Sequence, residues 1–191
     1  IALNLLKLVD NPRQDIPLAS VMMSPVFGFS ENELAEIRGN DRDCNWYEAV
    51  KHYCEDGENE QIKCKLNNMI RSLECWRTWK YQRTVGELVL MILEDSGYLD
   101  AVTIMPGGKQ KRANLLLLAE KAVAYEKTSY TGLFQFNRYI EKLIRYEVDF
   151  AEAETGNGSR DAVTVMSIHK SKGLEFPVVF LAGCGKKFNQ M

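Results

Sequence analysis

What this 191-residue chain lacks is informative. It carries no excess of either charge: 24 basic and 26 acidic residues leave a net charge of −2. A polybasic nucleic-acid tail is thereby excluded, and any binding of a polyanion must come from local geometry rather than bulk charge. No apolar run approaches the roughly 20 residues of a membrane span, and no signal peptide is visible. Cysteine lacks any pairing pattern. Cys44, Cys54, Cys64, Cys75 and Cys184 are odd in number and form no C-x-x-C. Neither His52 nor His169 stands at zinc-finger spacing from a cysteine pair, so spacing points to free thiols in a reducing compartment and to no metal site. A G-x-x-x-x-G-K-[ST] phosphate loop is also missing. Pro106-Gly107-Gly108-Lys109 does not have that spacing.

What is present is helical pattern almost throughout. The chain opens on Ile1, without an initiator methionine and already within an apolar helical stripe, and it stops at Met191. Both ends are expected to be cuts within a longer protein. The first helix should stop at Asp10-Asn11-Pro12, because proline disfavours helical geometry in the residue before it. Asp15-Ile16-Pro17 opens a short helix to Met23, with Pro17 in the first turn, where its missing N–H costs nothing. Ser30 with Glu33 and Thr84 with Glu87 have the spacing of capping boxes, and Asn45 with Glu48 marks another start. A longer helix fits Glu58 to about Gln82, with Ile62, Leu66, Met69, Leu73, Trp76 and Trp79 along one face. Gly97 is a plausible stop. After the Pro106-Gly107-Gly108 loop, residues 109–127 and 131–146 read as two amphipathic helices.

Composition then shifts twice. Residues 151–161 include no apolar side chain larger than alanine and read as a flexible linker. Beyond it, 163–168 and 177–182 are short, apolar, β-branched runs of the kind that suits central strands buried on both faces of a parallel sheet. The expected fold class is therefore mostly α, with a small α/β remnant of two strands at the C-terminus. Between the runs lies a polar, glycine-containing loop, at the place where open α/β sheets bind ligands. His169 and Lys172 offer donors to phosphate or sugar, and Ser167 and Ser171 offer hydroxyls. Gly173 permits close backbone approach. Glu175 is an acceptor for a ribose hydroxyl or a neighbouring arginine.

The stretch Val165-Met166-Ser167-Ile168-His169-Lys170-Ser171-Lys172-Gly173-Leu174-Glu175-Phe176-Pro177-Val178-Val179-Phe180-Leu181 closely resembles motif V of superfamily-1 DNA helicases of the UvrD/Rep/RecB group. Ser167 replaces the family's usual threonine and keeps the hydroxyl. Asn11 to Leu18, Ser24 to Phe29, Gly107 to Leu115 and Gly132 to Phe136 are similar to segments of the AddA family of helicase/nucleases from bacterial recombination enzymes. The resemblance implies a RecA-like motor domain, 2A, interrupted by a helical accessory domain, 2B. Residues 1–14 would be an edge helix of 2A, 15–150 the 2B-like domain, 151–161 the linker, and 162–191 the return into 2A with motif V. It implies Gly173 and Glu175 near nucleotide, and Ser167, His169, Lys170 and Lys172 near DNA, with a merely solvated role open for Lys170.

The parent protein is expected to use ATP and Mg2+, to act on single-stranded DNA and duplex ends, and to pair with an AddB-like partner in the bacterial cytoplasm, with exonuclease activity in prospect. The chain by itself is expected to bind no cofactor and to hydrolyse no ATP. The rival reading is a non-enzymatic helical adaptor. Trp76, Trp79 and Tyr53 are positioned for stacking on bases but at helical spacing read better as core. Lys109, Lys111 and Arg112 stand at a helix start, unfavourable for cations by dipole logic, which suggests a phosphate counterion or a solvated face.

Overall fold

The computed structural model describes residues 1–41, 43–127, 132–146, 163 and 165–183. The chain divides into two units, 1–156 and 157–191. In the first, the described residues form nine helices: α1 (Ala2–Asp10), α2 (Asp15–Met22), α3 (Glu31–Asn40), α4 (Trp46–Asp56), α5 (Glu60–Trp79), α6 (Val85–Asp95), α7 (Tyr98–Thr103), α8 (Gly108–Glu126) and α9 (Leu133–Arg145).

Helix starts follow local chemistry. Both expected capping boxes are formed: the Ser30 hydroxyl accepts from Glu33 N–H, Thr84 does the same for Glu87, and each glutamate answers the cap backbone. The Asn45 side chain accepts from Glu48 N–H. Each such cap satisfies an N–H that the helix cannot pair internally, worth about 1 kcal/mol. Gly97 is more than a stop: it is the N-cap of the short α7, which periodicity did not foresee.

α1 lies at the centre. Leu5, Leu6, Leu8 and Val9 are all buried, and these positions cover a broad arc of the helix rather than one stripe. That arc is filled by α2, α5, α6 and α9, all of which pack on it. One polar contact runs through this core. Buried Asn137 on α9 donates from Nδ2 to the Leu6 carbonyl at 3.2 Å. At the rim, Lys80 bonds Asp10 at 3.0 Å and Lys7 pairs with Glu141 at 2.7 Å.

Trp76 is 1% exposed, and its indole N–H donates to Asp95 at 2.6 Å. Trp79 packs partly buried against the same core, and Tyr53 is buried, so the core reading of these aromatics holds.

α6, α7 and α8 form a tight subassembly. A Cβ on Gly86 would meet the Val123 side chain and lie 3.2 Å from its backbone nitrogen, so α6 approaches α8 more closely than any larger residue permits. Glu126, at the end of α8, accepts from Val85 N–H at 2.5 Å and completes the start of α6.

The second unit corrects the expected fold class. Among the described residues no strand occurs, and the two expected C-terminal strands are absent. Residues 168–173 are successive turns, and the apolar runs on either side do not pair. Val165 is 93% exposed and Phe180 is 90% exposed. β-branched apolar residues favour a strand only where neighbouring chain supplies a ladder and a covering surface, and the described residues of this unit supply neither. The expected linker at 151–161 lies outside the described residues.

Candidate functional site

Ser167 organises the polar loop. Its carbonyl accepts from Lys170 N–H at 3.0 Å and Ser171 N–H at 3.1 Å. Its hydroxyl accepts from Lys170 N–H at 3.3 Å, a serine turn that folds the segment back on itself. The Ser171 hydroxyl donates to the Ile168 carbonyl at 2.8 Å, and Leu174 N–H closes the next turn on the Ser171 carbonyl at 3.0 Å. Gly173 has φ +84°, a left-handed conformation that explains glycine at that place.

The backbone bonds leave the polar side chains in the open. Ser167, His169, Lys170, Lys172 and Glu175 are all exposed, as is Gly173. Among the described residues, the His169, Lys170, Lys172 and Glu175 side chains carry no hydrogen bond or ion pair. The loop thus presents one imidazole, two ammonium groups and one carboxylate, their positions set by turns rather than by one another. Such a set suits a polyanionic ligand with sugar hydroxyls, because the cations meet phosphate and the carboxylate accepts from hydroxyl. All six residues singled out in the sequence stand within nine positions, and the structure keeps them together.

A second grouping was not visible as a motif. Asp41, Cys44 and His52 converge between α3 and α4. His52 is bonded to Asp41 at 2.7 Å. That bond first, then the Cys44 thiol and Asp43 N–H, hold the Asp41 carboxyl below its ordinary range. Desolvation, reinforced by Asp41, pushes the Cys44 thiol up. The four described cysteines, Cys44, Cys54, Cys64 and Cys75, are free thiols. Lys109 and Lys111 are exposed in the first turn of α8. No described helix is long and apolar enough to cross a membrane.

The helical unit and the exposed loop belong to a helicase class: this chain is a member of the UvrD-like helicase C-terminal domain family, which matches residues 1–188. Within that class it is similar to the ATP-dependent helicase/nuclease proteins of several bacteria, in each case the A component of the enzyme. Identity is 46% over 191 residues with that of Bacillus velezensis, and 48% over 193 with that of Bacillus licheniformis. With that of Acetivibrio thermocellus it is 44% over 189 residues. These alignments cover 99–100% of this chain but only 15–16% of each relative's length.

Proposed function

We propose that this chain is the accessory-domain and motif V segment of an ATP-dependent DNA helicase of the AddA kind, working in resection of double-strand breaks and recombinational repair. The observation that carries this is the loop at 165–181: a contiguous match to motif V, held by its own turns, with ligand-binding groups exposed. In this reading residues 1–14 are the edge helix of the 2A motor domain, and 15–150 are the 2B-like accessory domain. Residues 151–161 link it to 162–191, which carry motif V. The packing of Leu5, Leu6 and Leu8 then ties the motor's edge into the accessory core.

Ser167, His169, Lys170 and Lys172 face DNA, and Gly173 and Glu175 face nucleotide. The rest of the protein supplies the γ-phosphate cradle, Mg2+ and the exonuclease. Phosphoryl transfer is mostly positioning and charge stabilisation, so the segment alone hydrolyses no ATP. An AddB-like protein, duplex ends and single strands are the partners, in the bacterial cytoplasm.

The test is made in the full-length parent. His169→Ala removes a DNA contact worth about 1 kcal/mol, so single-strand affinity without nucleotide falls several-fold while ATP affinity without DNA holds. Glu175→Ala raises the KM for ATP and slows DNA-stimulated turnover, leaving single-strand affinity near wild type. Equal losses of the same function in both variants would show a single structural unit with no division of labour.

A further inference from the structure

The connection between α3 and α4 gathers three unlike donors. Asp41 follows the last turn of α3, Cys44 precedes the Asn45 cap, and His52 projects from α4. One carboxylate oxygen, the Cys44 Sγ and one imidazole nitrogen all lie within 4.8 Å of one another.

The surroundings hold the backbone that carries these donors. The Arg38 guanidinium donates to the Cys44 carbonyl at 2.6 Å and to the Asp41 carbonyl at 3.4 Å, which closes the connection. It also lies over the Trp46 ring, 5.8 Å from the centroid. Asp43 N–H donates to Asp41 Oδ1 at 3.1 Å and orients the carboxylate, leaving Oδ2 toward His52. His52 rides on a regular helix whose start is capped by Asn45. Supporting bonds of this kind are what orient the ligands of a metal ion.

We infer that Asp41, Cys44 and His52 form a three-ligand site for zinc or a similar thiophilic divalent cation. Thiolate, imidazole and carboxylate are the three donor types that zinc accepts, and three protein ligands with one open position is a known arrangement. A tetrahedral ion with bonds of roughly 2.0–2.3 Å holds its donors about 3.3–3.8 Å apart. The widest separation here must therefore contract by about 1 Å, and the Asp41–His52 hydrogen bond must open slightly. Rotation of exposed or half-buried side chains accomplishes both. The His52 side chain is 49% exposed, which leaves the fourth position to water. On binding, the thiol proton passes to solvent. One thiolate and one carboxylate then neutralise the divalent charge, with His52 neutral. The bound ion pins the end of α3 to the middle of α4.

The experiment titrates the reduced 191-residue chain with Co2+ and then Zn2+. A 1:1 complex with a thiolate-to-cobalt charge-transfer band, displaced by zinc, is expected. The chain has two histidines, and the imidazole signals of His52 should shift while those of His169 stay in place. Cys44→Ser and His52→Ala should each weaken binding at least about tenfold, given that losing even a residue that only supports a ligand costs 10–100-fold. Cys64→Ser should bind as wild type does. Far-ultraviolet circular dichroism verifies that each variant is folded, and the histidine shifts on the unaltered chain need no variant. Absence of the band, its survival in Cys44→Ser, its loss in Cys64→Ser, or a response at His169 instead of His52 would each overturn the site.

Discussion

The helical unit and the 163–183 segment use the same kinds of residue to opposite ends. In the first, leucines, valines and aromatics are covered: Leu5, Val89, Trp76 and Phe136 are at or below 1% exposure, and the buried amide of Asn137 has its partner. In the second, Val163, Val165 and Phe180 are open, and the order that exists is local, from turns around Ser167 and Ser171. Buried packing is concentrated in the first, while the described residues of the second are held by local turns. A substitution should therefore disturb one without disturbing the other.

The largest expected effect tests that separation directly. Trp76→Ala empties a buried site and leaves Asp95 without its indole partner, for a loss of about 3–5 kcal/mol. Phe180→Ala removes a comparable ring from an exposed place and should shift stability by less than about 0.5 kcal/mol. Chemical denaturation of the two variants side by side is the measurement, and similar losses would dissolve the contrast between the units.

A middle-sized effect sharpens the account of packing. Gly86→Ala forces a methyl into the Val123 side chain and close to its backbone, and overpacking of this kind costs about 1–3 kcal/mol. By intrinsic helix propensity alone the same change should stabilise α6 by up to about 1 kcal/mol. The sign of the change in the denaturation midpoint decides between close approach and propensity.

The smallest effect concerns pH. Lys65 and the Ser30 amide hold the Glu33 carboxyl below its ordinary value of 4.5. A lowered folded pKa means the stabilisation is complete above that ordinary value and fades as pH falls through the folded one. Glu33→Gln should therefore be less stable than wild type at neutral pH, with the gap closing on acidification below about pH 4. The Glu33–Lys65 pair lies at the surface and is screened by solvent, so the difference should be under about 1 kcal/mol. A gap that widens in acid would reverse the assignment.

Much of the helical unit was legible because its signals are local. Ser30 and Glu33, or Thr84 and Glu87, need only three residues of spacing to define a helix start, and the stripe from Ile62 to Trp76 declares its own buried face. The residues Ser167 to Glu175, proposed as the site, stand together in the sequence because they are contiguous, and the turns around Ser167 and Ser171 are equally local. The strands were misread because Val178, Val179 and Phe180 specify what a strand would be made of but cannot specify that a neighbour exists. α7 was missed because six residues are too few to display a period. The need for glycine at position 86 was not legible, since its reason lies on α8, at Val123. The trio of Asp41, Cys44 and His52 has no signature, because its spacing mixes an irregular connection with two turns of helix.

The bond from Asn137 to the Leu6 carbonyl spans 131 residues, and that separation has a consequence for the timing of synthesis. Glu126 reaches back only 41 residues to Val85, so α6, α7 and α8 can close on themselves soon after they emerge. α1 is translated before every other described helix, yet one of the walls of its pocket, α9, is made last of them. At about 5–20 residues per second, the ribosome needs roughly 7–26 s to cover that interval. Throughout it, the Leu5–Leu6–Leu8–Val9 surface waits without its final cover. That is the period in which a nascent chain of this design is most exposed to association with the wrong partner.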